Sequence, residues 1–253
     1  MTSSAPLLAK GVLSDNQRID SKALGYALQY RVYTPSSHTT GPLPTLYVTD
    51  GHQYLQRGKM VRVLDREIAA GRIVPVLVVF VDSRDPDKLS VDRRNQQFFC
   101  SPDYAAFFTD ELIPAITRDY GVSRARRDRV VLGLSFGALN SACFGLLAPE
   151  HFGGLAMQSP ALHPVPGLLE AYRLLKVPRL KIFLSLGIKN DNTASGRRLR
   201  KVLMAAGHEL TYREVAEGHN WDNWRPLLDE VLATFFASEQ EPAPVPGAPA
   251  HGK

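Results

Sequence analysis

Between residues 45 and 236, short aliphatic and β-branched runs take turns with stretches of helical periodicity, and this alternation restricts the fold more than any other feature. Thr45–Thr49, Val74–Val81, Arg129–Leu134, Gly154–Gln158, Leu180–Leu186 and Glu209–Val215 read as strands. Val74–Val81 (VPVLVVFV) is continuously apolar, as a strand buried on both faces requires. The intervening segments Gln53–Ala70, Tyr104–Ile116, Phe136–Leu147, Leu168–Leu175, Ala194–Ala206 and Trp224–Phe236 carry helical spacing. Such alternation predicts an α/β fold with a mostly parallel central sheet and helices on both faces. Ala27–Pro35 (ALQYRVYTP) alternates with period two and suits an N-terminal antiparallel strand. Ligands of such sheets lie beyond the carboxyl ends of the strands, so the chemistry is sought in strand-to-helix turns.

Other classes are set aside on composition. The 253 residues suit one large domain, expected over 1–237. Residues 238–253 (SEQEPAPVPGAPAHGK) lack apolar periodicity and are expected to form a disordered Pro/Ala-rich tail. No run of 18 apolar residues suggests a membrane span. The N-terminal segment shows no charged region followed by an apolar one, so no signal peptide is read and a cytoplasmic protein is expected. The net charge of +5 is a weak signal for nucleic acid, and none is expected as a partner. Oligomeric state is not legible. The two cysteines, Cys100 and Cys143, make no disulfide framework and no metal motif, and are expected as small buried apolar groups. His and Cys show no ligand spacing and no cofactor loop occurs, so neither metal nor cofactor is expected.

Arg129–Leu134 runs straight into Gly133-Leu134-Ser135-Phe136-Gly137 and then into an apolar helix. A strand, G-x-S-x-G and a helix in succession make a nucleophile elbow. The serine backbone turns sharply there, and glycine two residues to either side removes the Cβ atoms that would collide. Ser135 is the expected nucleophile, and the Phe136 N–H, at a helix N-terminus, an expected oxyanion donor. Serine needs a general base, and elbow enzymes place their partners in the order Ser, acid, His. Of seven histidines only His219 lies between the last strand and the last helix. Asp191 is the only carboxylate in the loop 187–193 that follows the Leu180–Leu186 strand; it is the expected triad acid, with a helix N-cap as the competing reading. A second oxyanion N–H is expected from the Asp50-Gly51-His52-Gln53 turn, from His52 or Gln53. Asp50, Gln53, Arg93, Arg94 and Trp221 are expected near substrate, the arginines to attract an anion and the indole to stack on a ring.

The chain resembles the Putative esterase family of α/β-hydrolases, which includes enterochelin esterases, feruloyl and acetyl-xylan esterases and the antigen 85 mycolyltransferases. The resemblance is carried by Leu46–Gly51, Phe107–Pro114, Gly133–Gly137 and Glu217–Trp224, over about residues 21–236. It implies an α/β-hydrolase fold, Ser135 as nucleophile, His219 as base and the Asp50–His52 turn as oxyanion loop. Relatives often place the acid at the position of Asn190, one before Asp191. Only about 20 residues separate the Gly154–Gln158 strand from the next, so the cap is expected to be minimal. The expected reaction is hydrolysis of a small-molecule carboxylic ester, aromatic, sugar or siderophore, through an acyl-enzyme. Acyl transfer to an alcohol and a non-catalytic binding role are the rival readings.

Overall fold

The computed structural model describes residues 10–36 and 41–238. The tail expected over 238–253 lies outside them except for Ser238. Nine strands form one sheet: β1 (Val12–Leu13), β2 (Gln17–Asp20), β3 (Ala27–Thr34), β4 (Thr45–Val48), β5 (Leu77–Asp82), β6 (Arg129–Leu134), β7 (Gly154–Gln158), β8 (Lys181–Gly187) and β9 (Glu209–Val215). Their order is β1-β3-β5-β4-β6-β7-β8-β9, with β2 also paired to β3. β4 to β9 run parallel, and β1, β2 and β3 are joined antiparallel at one edge.

Alternate side chains of the central strands feed two cores. Tyr47, Val79 and Val131 point to one face; Leu46, Val48, Val130 and Leu132 point to the other. The first face is covered by α3 (Arg94–Phe98), α4 (Pro102–Ala106), α5 (Ile113–Asp119), α6 (Phe136–Leu147), α7 (Leu168–Leu174) and α8 (Thr193–Ala205). α1 (Gly51–Gln56), α2 (Met60–Ala69), the single turn α9 (Trp221–Trp224) and α10 (Leu228–Phe236) cover the second. Helix α6 is buried without a break from Gly137 to Gly145, so it has no solvent face. Between β7 and β8 the only helix is the seven-residue α7, so the cap is minimal. Among the described residues no helix is long and apolar enough to cross a membrane.

Three expectations are corrected. The single helix read over Gln53–Ala70 is two, α1 and α2, broken at Gly58 and Lys59. A Cβ on Gly58 would stand 2.6 Å from the Tyr54 carbonyl oxygen and 2.9 Å from the Trp221 ring, and Lys59 turns left-handed at φ 52°. The apolar spacing hid the break because both pieces bury the same face of the chain. The helix read over Tyr104–Ile116 contains a π-helical stretch, Phe107–Leu112, just before Pro114. Proline has no N–H to give and its ring collides with the carbonyl four residues back, and a wider turn relieves both.

Cys100 and Cys143 are not separate thiols but a disulfide tying the turn after α3 to α6, across a sequence separation of 43. Closing a loop of that length restricts the unfolded chain by about 3–4 kcal/mol. A Cys100→Ala/Cys143→Ala protein should therefore lose that much stability in urea titrations, with the same loss in the native protein after reduction. Equal midpoints for oxidised and reduced protein would contradict the bond.

Candidate active site

The site assembles at the carboxyl ends of β6, β7 and β8. Ser135 follows β6 with φ 55° and ψ −116°, a conformation that costs energy in any residue with a side chain. The turn survives because its neighbours are glycine. A Cβ on Gly133 would lie 2.1 Å from the Gly137 carbonyl oxygen, and one on Gly137 would lie 2.8 Å from Thr49 Oγ1. Backbone bonds pin the strained residue: its N–H donates to the Gln158 carbonyl at 2.8 Å, and its carbonyl accepts from Ala161 at 3.1 Å.

Ser135 Oγ lies 2.8 Å from His219 Nε2, and His219 Nδ1 lies 2.6 Å from Asp191 Oδ1. These three side chains come from positions spread over 84 residues. The imidazole is 31% exposed and the carboxylate wholly buried, so a proton on the ring meets solvent on one side and a fixed charge on the other. Asp191 does not cap α8; Asn192 holds that position. Instead Asp191 Oδ2 accepts from Ser159 Oγ at 2.6 Å, the Gly187 N–H at 2.5 Å and Asn223 Nδ2 at 3.3 Å, while Oδ1 accepts from the Asn192 N–H at 2.7 Å. Burial alone would raise its pKa. The hydrogen bonds from His219, Ser159 and the two N–H groups outweigh burial and hold it below the ordinary carboxylate value.

The N–H groups of Phe136 and His52 sit in the first turns of α6 and α1 and donate to no acceptor among the described residues. The His52 ring has its own anchor, Nδ1 lying 3.2 Å from Asp82 Oδ1. Burial raises the Asp82 pKa, but His52 and Arg84 more than reverse this and bring it down to about 2.

The open cavity at Ser135, about 310 Å³, is walled by Phe136, Ala161, His163, Asn190, Asn192 and the His219–Asp191 pair. None of the five residues expected near substrate lines it. Asp50 has no exposed side-chain surface; Arg94 grips it through Nε at 2.8 Å and Nη2 at 2.8 Å. The pair lies behind Phe136, with the guanidinium 5.2 Å from that ring, and the arginine's charge is spent inside the protein. Arg93 bonds Asp85 at 2.9 Å and covers Tyr26. Gln53 is only partly buried and makes a backbone bond to Asp50. Trp221 is 5% exposed and packs on Tyr54 and Trp224, a core residue rather than a stacking platform.

Three polar residues of the site escaped the sequence. Ser159, left-handed at φ 51° just past β7, donates to Asp191 and accepts from Trp224 Nε1 at 2.9 Å and Asn223 Nδ2 at 3.2 Å. Asn192 donates to the Ser159 carbonyl at 3.1 Å. Asn223 and Trp224 belong to the W-x-x-W segment, and Trp224 also packs edge-on against the His219 ring at 5.0 Å. The one available signal was position: Ser159 ends a parallel strand beside the elbow strand.

The family model described as "Putative esterase" matches residues 21–235. The uncharacterised protein YjcH of Bacillus subtilis is 26% identical over 230 residues, covering 84% of this chain and 92% of its own length. The iron(III) enterobactin esterase of Dickeya dadantii is 28% identical over 201 residues, which are 72% of this chain but 45% of that protein. Among solved structures, the enterobactin esterase of Shigella flexneri superposes with a TM-score of 0.81 at 24% identity, over 91% of this chain and 62% of the other. The chain thus spans about half the length of the enterobactin esterases it matches, and the fold it shares with them is that of the α/β-hydrolases.

Proposed function

The chain belongs to the Putative esterase family, and from that premise we propose that it is a serine carboxylic-ester hydrolase that works through an acyl-enzyme. The observation that carries this is the pair of short contacts at one imidazole, 2.8 Å to Ser135 Oγ and 2.6 Å to Asp191 Oδ1. His219 takes the Ser135 proton at Nε2 as Oγ attacks the ester carbonyl. Asp191 holds the other proton on Nδ1 and stabilises the imidazolium. The Phe136 and His52 N–H groups receive the oxyanion. His219 passes its proton to the departing alcohol, and water then repeats the cycle on the acyl-Ser135 ester.

Similarity to an iron(III) enterobactin esterase supports a siderophore ester as one candidate substrate. The one-helix cap and open cavity favour a bulky ester over a small enclosed one. The cytoplasmic setting expected from the N-terminal pattern fits poorly with the Cys100–Cys143 disulfide, because such bonds persist in oxidising compartments.

Covalent labelling tests the nucleophile directly. A fluorophosphonate should add one phosphonyl group per chain, and peptide mapping should find it on Ser135. Prior denaturation should abolish the labelling, since isolated serine is a poor nucleophile. Labelling elsewhere, or none beside active turnover of p-nitrophenyl butyrate, would remove Ser135 from the reaction.

A further inference from the structure

The cavity at Ser135 does not end at the catalytic side chains. A second one, about 280 Å³, adjoins it between the short cap and α8, with His163 and Asn192 lining both, and together they make a groove. Leu162, Val165, Pro166 and Leu169 give this extension an apolar wall, and Ser195 and Arg198 close it. Arg198 is its one permanently charged lining group.

Helix α8 explains why that charge is available. Its sequence, TASGRRLRKVLMA, has three arginines, a lysine and no acid. Arg197 is taken by Glu214, with bonds of 2.8 and 2.7 Å. Arg200 lies over the Tyr212 ring at 4.4 Å. Arg198 faces the groove and, among the described residues, has no acidic partner, hydrogen bond or ring contact. From Asn192, beside His219, to Arg198 is six residues of helix, a rise of about 9 Å.

Resting on the esterase reading, we propose that the groove selects esters with an apolar limb ending in a carboxylate, which Arg198 binds. An aliphatic chain of about six to eight carbons, or one ring with a short chain, suits the apolar wall and is long enough to follow a rise of about 9 Å along α8. Arginine suits this role because its fork pairs a carboxylate through two parallel bonds.

The test compares kcat/KM for paired esters. On the acyl side, the mono-p-nitrophenyl esters of adipate and suberate are set against p-nitrophenyl hexanoate and octanoate; these diacids are too long for their own carboxylate to cleave the ester readily. On the alcohol side, 6-acetoxyhexanoate is set against hexyl acetate in a pH-stat. The native protein should prefer the anionic member of one series by about five- to tenfold at low salt, and that series identifies the limb in the groove. Arg198→Ala should bring the ratio to about one, Arg198→Glu should invert it, and salt should shrink it. Native ratios of one or less in both series, or a ratio that Arg198→Glu leaves unchanged, would overturn the proposal. Suberate binding to the Ser135→Ala protein, followed by calorimetry against Arg198→Glu in the same background, reads the groove without turnover. Its loss in the glutamate variant supports the proposal even if no ester is cleaved, and its absence from the parent overturns it.

Discussion

Ser135→Ala should lower kcat for p-nitrophenyl butyrate by about 10⁵- to 10⁶-fold, His219→Ala should cost nearly as much, and the double variant should be little worse than either. The expectation follows from the 2.8 Å contact between Oγ and Nε2. A hydroxyl without a base does not ionise enough to attack, and a base without the hydroxyl has no nucleophile to serve, so the two act as one unit. Residual turnover above water should remain, since the Phe136 and His52 N–H groups are untouched. Active-site titration of each preparation excludes contaminating native enzyme. A Ser135→Ala protein with native rates would leave the shared fold as a binding scaffold, and additive losses would show that the two side chains do not act as a unit.

The legible parts of this molecule were those with a local signature. β6 and α6 begin and end where the sequence suggests, because an apolar strand, two glycines around a serine and an apolar helix leave no other arrangement. The contact between Ser135 and His219 could be anticipated for related reasons: one sits in a steric pattern, the other in the loop between the last strand and the last helix. The supports were not legible. Ser159, Asn223 and Trp224 form a hydrogen-bonded set, and nothing periodic marks a buried serine 65 residues from its indole partner. Asp50 and Arg94 were misread because sequence shows two charges near a loop and not that they neutralise each other. Trp221 was misread for a similar reason, since an aromatic beside a catalytic loop serves core or cleft with equal ease. The Cys100–Cys143 pairing depends on the turn after α3 packing on α6, a tertiary fact.

Asp191→Asn separates a catalytic carboxylate from a structural one. Three donors, Ser159 Oγ, the Gly187 N–H and Asn223 Nδ2, converge on Oδ2, so an asparagine must turn its carbonyl oxygen there. Its NH₂ then takes the place of Oδ1 and faces His219 Nδ1, now 2.6 Å from that atom. A donor at that place favours the ring tautomer with hydrogen on Nε2, where Ser135 needs an acceptor. The loss in kcat should be about 10⁴-fold, although the fold and the Ser135 hydroxyl are still present. Stability should respond differently. Because the folded carboxyl is held below its ordinary pKa, its ionised form contributes stability that is complete above about pH 4 and disappears as pH falls through the depressed folded value. The gap in melting temperature between native and Asp191→Asn proteins should therefore be widest near neutrality and narrow in acid, while the gap in kcat persists wherever the imidazole is neutral. A purely structural Asp191 would produce the melting difference with kcat nearly intact, since a misplaced tautomer, and not a lost fold, is what removes the base.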